Sequence, residues 1–201
     1  MKGDDIEKRS LTLIRQVLDA FALPEYGRFI VERVVHATAD FSLAPLVVIR
    51  PGFVERFLET LRIQGYVVFC DTATVCAGIS PGLLSRSALV LREFVHTPRC
   101  LGRVTSSKTR AEVAVELALE EGIRGFVFGN SPTGLSRLVE AIRGGYVVDW
   151  VIGCPVGFIG AAEAKEALLT LSVPVVVVRG PRGGSTVAAS IVNALLAYAF
   201  K

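Results

Sequence analysis

The chain contains two histidines, the side chains best suited to moving a proton near neutral pH. His36 lies in RVVHATADFS, where the pattern of an amphipathic helix gives way to small polar residues. An imidazole at such a position can be a catalytic proton donor, because the negative end of the helix dipole favours its charged form. From its residue type alone it is more simply a residue that only caps or packs the helix end. His96, in EFVHTPR, ends an apolar run before a proline turn, and we interpret it as structural.

Further polar residues follow short apolar runs, where the strands of a sheet would end. Asp71 and Thr72 come directly after YVVFC, and Asn130 and Thr133 lie in GNSPTG after GFVF. These residues could contact a ligand at the edge of a sheet. The alternative interpretations are a simple turn at Asp71 and a helix cap at Ser131.

Two glycine-rich segments near the C-terminus also follow apolar runs. Arg179 and Arg182 in RGPRGGS stand beside a helix start and predict a carboxylate or phosphate site, with a flexible loop as the alternative. Glu163 and Lys165 in GFIGAAEAK are interpreted as charges of an amphipathic helix. GNSPTGLSRL lacks the GK[ST] ending of a P-loop, and no G-x-G-x-x-G follows a strand. An enzyme acting on a nucleotide or sugar phosphate therefore has no fingerprint here.

Short apolar runs alternate with helical patterns along the whole chain. The runs lie at residues 66–70, 89–95, 125–129, 147–153 and 174–180. The first helix is predicted to be capped by Asp4 and Asp5, the second to run from Pro24 to about His36, and the third to open at Pro51. Strands that are apolar on both faces and separated by helices indicate a parallel sheet covered on both sides. We predict a single α/β domain over residues 1–201, doubly wound, with a mostly parallel sheet of about five strands and helices on both faces. Ligands bind such sheets at the carboxyl ends of the strands.

Composition excludes several classes of protein. The net charge of +3 is too small for a general nucleic-acid binder, and no apolar run is long enough for a membrane span. The charged N-terminus and four cysteines without C-x-x-C spacing favour a cytoplasmic protein with buried thiols and no metal site. Residues 186–200 form a helix that is apolar over most of its circumference, so it must be buried either in the core or between subunits.

Taken in order, the motifs resemble those of the precorrin-8X methylmutase family, which includes the cobalt-precorrin-8 methylmutases. The matching segments, which span almost the whole chain, are EKRS, RVVHATADF, DT after YVVFC, TR at residues 109–110, GNSPTGL, PVGFIGAAEAKEAL and RGPRGGSTVAASIVNALL. The chain departs from the family at CDTAT, where TDTNM is usual, so that Ala73 and Thr74 replace an asparagine and a methionine.

The resemblance implies an isomerase of cobalamin biosynthesis that moves a methyl group from C-11 to C-12 of a corrinoid ring. It implies no added cofactor, a homodimer, and active sites near the subunit interface. It implies that His36 is the catalytic histidine. From the chemistry of an imidazole at a helix end we expect this histidine to act as a general acid, so activity should fall as the pH rises and the imidazole loses its proton. The substrate-binding residues that it implies are Arg9, Ser10, Asp71, Thr72, Arg110, Asn130 and Thr133. The alternative is a corrinoid-binding or carrier protein without turnover.

Overall fold

The computed structural model describes residues 3–201, with side chains from Asp5 onward. Within this range six strands form one sheet: β1 (Val47–Ile49), β2 (Tyr66–Cys70), β3 (Leu89–Arg92), β4 (Gly125–Phe128), β5 (Trp150–Gly153) and β6 (Val175–Val178). Their order across the sheet is β1-β6-β5-β4-β2-β3, with β1 antiparallel to β6 and every other pair parallel. The predicted α/β fold with a mostly parallel sheet is therefore confirmed.

Helices cover both faces of this sheet. They are α1 (Gly3–Leu18), α2 (Arg28–Thr38), α3 (Phe53–Thr60), α4 (Ala73–Gly78), α5 (Pro81–Leu84), α6 (Pro98–Leu101), α7 (Arg110–Glu120), α8 (Pro132–Arg143), α9 (Ala161–Leu169) and α10 (Ser185–Ala199). Two 3₁₀ segments, Glu25–Gly27 and Phe41–Leu46, lie before and after α2. No helix in the described part of the chain is long and apolar enough to cross a membrane.

The alternating side chains of each strand build two cores. Phe126 and Phe128 of β4 point toward α7, α8 and α9, while Val127 between them packs with α2 and α10 on the other face. All three are fully buried. This two-sided burial is the reason that the strands read as unbroken apolar runs in the sequence.

Helix α10 resolves the alternative that its composition left open. Nine of its residues, from Val187 to Leu196, are buried, and they pack within the same chain against α2, α3 and α4. Gly78 of α4 comes so close that an added Cβ would lie 2.8 Å from the Cβ of Ala189. The apolar circumference of this helix is thus explained by the core, and α10 gives no argument for a subunit interface.

The sheet has one strand more than the sequence predicted. Val47 pairs with Val178 and Ile49 with Val176, which makes β1 an antiparallel edge strand. Three residues between two prolines carry too little pattern to be recognised as a strand, and only the hydrogen bonds to β6 define it. Because β1 runs backwards, its first residue lies at the edge where the parallel strands end.

Some predicted boundaries also differ. The second helix begins at Arg28, since Pro24 is extended and Glu25–Gly27 forms a 3₁₀ turn. The third helix begins at Phe53, and Asp4 and Asp5 lie inside α1 instead of preceding it.

Two predicted strands are shorter than expected. The run at residues 89–95 stops pairing at Arg92, and the run at 147–153 begins at Trp150, the first residue paired with β4. Val147 is 62% exposed, so its apolar character did not indicate burial.

Candidate active site

His36 lies on the last turn of α2 and borders two cavities. The larger is a cleft of about 460 Å³ between α2, α4 and α10. Its lining residues are Arg33, His36, Ala37, Thr74, Ala77, Gly78, Thr186, Ala189, Ser190 and Asn193. The smaller, of about 180 Å³, lies between α1 and α2 and is lined by Ser10, Leu13, Ile14, Val35, His36, Ala39 and Phe41. Ser10 and His36, which the resemblance implies as site residues, therefore line the same cavity.

The end of α2 fixes the position of this histidine. Ala39 follows the helix in the left-handed conformation, with φ 52° and ψ 29°. Thr38 donates its hydroxyl hydrogen to the carbonyl of Val34 at 2.9 Å, which closes the last turn. His36 is half-buried, and its ring forms no hydrogen bond with the side chains that the structure describes. Its two nitrogens are thus available to a molecule in the cleft.

Thr72 begins the helix on the opposite wall of the cleft. Its hydroxyl caps α4 by accepting a hydrogen bond from Val75 N at 3.3 Å, and it also lies 3.3 Å from the hydroxyl of Ser185. Thr72 therefore joins the start of α4 to the start of α10. Thr74 lines the cleft together with His36. It stands at the position where the family that the motifs resemble usually has methionine.

Asp71 is buried, and its carboxylate is used inside the protein. Its Oδ1 accepts a hydrogen bond from Gly129 N at 3.0 Å, and its Oδ2 accepts from Asn130 N and Ser131 N at 2.7 Å each. Burial raises the pKa of Asp71 above its ordinary value, against the opposite effect of these three N–H groups. At 2% exposure the carboxylate faces the loop after β4, so we assign it to holding that loop and no longer to direct substrate contact.

Asn130, Thr133 and Arg110 lie farther along the same edge, at the starts of α7 and α8. All three are exposed. The hydroxyl of Thr133 is 3.1 Å from that of Thr109, so the two helix starts are in contact. Ser131 caps α8 by accepting from Gly134 N at 3.0 Å, which confirms the capping interpretation of this residue.

The loop after β4 connects this group to the histidine cleft. A Cβ added at Gly129 would lie 2.6 Å from Cα of Ser185, so the loop packs directly on the first residue of α10. The next residue, Thr186, lines the cleft beside His36. The predicted residues thus form one continuous edge, with Ser10, His36 and Thr72 toward one face of the sheet and Asn130, Thr133 and Arg110 toward the other. Arg9 is exposed on α1 next to Ser10.

The predicted anion site at Arg179 and Arg182 is wrong, because both guanidinium groups are engaged within the protein. Nε of Arg179 lies 3.1 Å from Glu166 Oε1, and Nη1 of Arg182 lies 2.7 Å from Asp40 Oδ2. The residues fold onto neighbouring elements instead of pointing together at a ligand.

Lys165 is fully buried, which contradicts its interpretation as a solvated charge. Its Nζ donates to the carbonyls of Pro155 at 2.9 Å and Arg182 at 2.8 Å, and burial lowers its pKa. The sequence held a signal for this: Lys165 shares a helix face with Ala161 and Leu168, both fully buried. Lys165 therefore ties together the loops that follow β5 and β6.

The loop after β5 also carries two apolar side chains that the sequence did not single out. Phe158 is 99% exposed and Ile159 is 90% exposed, between two glycines with positive φ. They lie at the same edge as Asn130, because a Cβ added at Gly160 would be 3.6 Å from Pro132. This edge therefore offers apolar as well as polar surface.

Comparisons with known proteins show the family of this chain. The family model described as precorrin-8X methylmutase matches residues 5–198. The cobalt-precorrin-8 methylmutase of Salmonella typhimurium is 39% identical over 95% of this chain and 93% of its own length, and that of Methanothermobacter thermautotrophicus is 36% identical over 98% and 93%. The crystal structure of a precorrin-8x methyl mutase from Thermus thermophilus superposes with a TM-score of 0.89 at 34% identity, covering 97% of each chain. The resemblance seen in the motifs is confirmed, and the chain belongs to the precorrin-8X methylmutase family.

Proposed function

We propose that this protein, an isomerase of cobalamin biosynthesis, moves a methyl group from C-11 to C-12 of its corrinoid substrate in the cleft beside His36. The observation that carries the proposal is the position of His36: its ring borders the 460 Å³ cleft and the cavity of Ser10 at the end of one helix. The reaction class is that of the family to which the chain belongs.

The chemistry of the edge fits a large ligand with several carboxylates. Arg9 and Arg110 are exposed there, beside the exposed polar side chains of Asn130 and Thr133. Phe158 and Ile159 add apolar surface of the kind that a flat macrocycle can cover. We assign substrate binding to Arg9, Ser10, Thr72, Arg110, Asn130 and Thr133.

For an intramolecular methyl shift the protein needs mainly to position the substrate and to stabilise the charge that develops in the transition state. One carbon–carbon bond breaks at C-11 and another forms at C-12, so the reaction needs no second substrate. Electron density redistributes through the conjugated ring as the methyl group moves. A proton or hydrogen bond from the His36 imidazole would stabilise that redistribution in the transition state.

Variants of the two histidines test this assignment. His36→Ala should lose roughly 10²–10⁴-fold in turnover, the usual contribution of a positioned acid, while it keeps its fold. His96→Ala is the matched control, since His96 is exposed in the loop after β3, and it should retain parental turnover. His36→Asn can donate a hydrogen bond but not a proton, so near-normal turnover there would show that proton transfer is unnecessary. Full activity of His36→Ala would remove the histidine from the mechanism.

The same assay identifies the substrate and separates an enzyme from a carrier. Purified protein is incubated with precorrin-8X and, in parallel, with its cobalt form, while the visible spectrum is recorded. Turnover of only one form names the natural substrate. A spectral change that saturates at one equivalent of ligand, without continued conversion, would indicate a corrinoid carrier.

We further propose a cytoplasmic homodimer whose cleft lies near the second subunit. Ile6, Leu13 and Val17 support it, because they form an apolar stripe on the exposed face of α1, beside the cavity of Ser10 and His36. The four cysteines, all in the described part of the chain, are free thiols, as in proteins of reducing compartments. Light scattering of the dilute protein should give twice the chain mass of 21.6 kDa, and a monomeric mass would contradict the dimer.

A further inference from the structure

Arg182 connects the loop after β6 to the segment that follows His36. Its Nη1 lies 2.7 Å from Asp40 Oδ2 and donates to the Ser42 hydroxyl at 2.7 Å, and its Nη2 donates to the Ser42 carbonyl at 3.1 Å. One guanidinium group thus holds a carboxylate, a hydroxyl and a backbone oxygen of the same short segment. Such a fork fixes orientation better than a single ion pair does.

The backbone around Arg182 is itself held in place by contacts with neighbouring loops. Nζ of the buried Lys165 donates to the carbonyl of Arg182 at 2.8 Å. Gly184 N donates to the carbonyl of Cys154 at 2.8 Å, and Gly183 packs so closely that a Cβ there would lie 2.2 Å from the same oxygen. The backbone that carries Arg182 therefore cannot shift without breaking contacts to Cys154, directly after β5, and to Lys165 of α9.

The far end of the connection reaches the last turn of α2. Asp40 N donates to the hydroxyl of Thr38 at 3.3 Å, and that hydroxyl donates to Val34 O. Asp40 also accepts a hydrogen bond from Ser42 N at 2.8 Å, which shapes the turn after the helix. His36 lies inside this closed turn. The end of α2 therefore carries His36 to the border of the two cavities.

We propose that Arg182 is a positioning residue for the methyl shift. By holding Asp40 and Ser42 it fixes the end of α2, and thereby the orientation of the His36 imidazole toward the cleft. The proposal rests on the catalytic role assigned to His36. Displacing a catalytic group by about 1 Å can cost on the order of 10²-fold in rate. The effect of losing Arg182 should therefore appear in kcat more than in KM.

The ion pair is poorly suited to a purely stabilising role. The side chains of Arg182 and Asp40 are 43% and 38% exposed, and ion pairs at such exposure contribute little to stability. Arg182→Gln should accordingly lower the melting temperature by less than about 4 °C. A change in turnover without a matching change in stability is the signature of positioning.

The test compares Arg182→Gln with Arg179→Gln in single-turnover measurements, with enzyme in excess over substrate. Arg179 is the matched control, because it lies in the same loop but its side chain pairs with Glu166 of α9 and not with the segment after α2. Arg182→Gln should lose roughly 10–100-fold in rate and Arg179→Gln less than about twofold. Arg182→Lys keeps a charge for Asp40 but cannot form the fork, so it should recover part of the rate. Asp40→Asn, which alters the other end, should lose rate in the same direction.

The double variant Arg182→Gln/His36→Ala separates this proposal from the assignment of His36. If Arg182 acts through the histidine, its substitution should have no further effect once the imidazole is gone. Equal losses in the parent and in the His36→Ala background would overturn the proposal. So would a rate for Arg182→Gln within twofold of the parent, or equal losses for Arg182→Gln and Arg179→Gln. The His36→Ala single variant reports on the proposed function independently.

Discussion

Asp71→Asn tests whether this buried carboxylate holds a loop or binds substrate. The asparagine oxygen can replace Oδ2 and keep the hydrogen bonds from Asn130 N and Ser131 N. Its amide nitrogen would then face Gly129 N, so that two donors meet where Oδ1 accepted a hydrogen bond at 3.0 Å. One hydrogen bond to a charged group is lost, and two others lose their charge.

The magnitude follows from these three contacts. A hydrogen bond to a charged group contributes about 1.5–3 kcal/mol and a neutral one about 1 kcal/mol. Relief of the burial cost of the carboxylate offsets part of the loss, which leaves about 2–4 kcal/mol of destabilisation. For a chain of 201 residues this corresponds to a fall of roughly 4–16 °C in melting temperature.

Calorimetric melting at neutral pH measures this shift, with titration of the tetrapyrrole product as a second readout. Asp19→Asn is the control, since Asp19 pairs with Arg28 at 70% exposure and should change the melting temperature by less than about 4 °C. We expect Asp71→Asn to weaken product binding only together with the loss of stability. A melting temperature within about 2 °C of the parent, with binding abolished, would refute the loop-holding role and restore direct substrate contact.

Three further results are expected. Arg110→Ala should weaken product binding by about 1–3 kcal/mol in a calorimetric titration without altering the melting curve, and unchanged affinity would remove Arg110 from the site. The hydroxyl and N–H of Ser42, with the Arg182 guanidinium, hold the pKa of Asp40 below its ordinary value. The ion pair between Asp40 and Arg182 is therefore present at neutral pH and is lost only as the pH falls through that lowered pKa. The ratio of the Asp40→Asn kcat to the parental kcat should accordingly stay constant from about pH 5 to 8. Lys165→Met leaves two loop carbonyls without a donor and should destabilise the protein by about 1–3 kcal/mol, and an unchanged melting curve would contradict this role.

The sequence by itself determined the layered fold and supplied the residues proposed for the site. Strands that are apolar on both faces must be buried between helices. This pattern lies within a few consecutive residues, so it can be recognised in YVVFC or GFVF from the sequence alone. Ser131 was recognisable as a helix cap because a cap acts within three residues. His36 was identified for the same reason, since its type and its place at a helix end are both local properties.

Tertiary structure decided whatever depended on a distant partner. The pairing of Arg182 with Asp40 joins residues 142 positions apart, and no local pattern distinguishes it from an open anion site. The three-residue strand β1 exists only because β6 supplies its hydrogen bonds, and only the fold shows that two loop carbonyls accept hydrogen bonds from the buried amine of Lys165. Asp71 likewise became a loop-holding residue because three N–H groups from another strand end surround it. From the sequence alone, a charged or polar side chain can be taken as free to bind a ligand. Only the fold shows whether that side chain already forms a hydrogen bond or an ion pair within the protein.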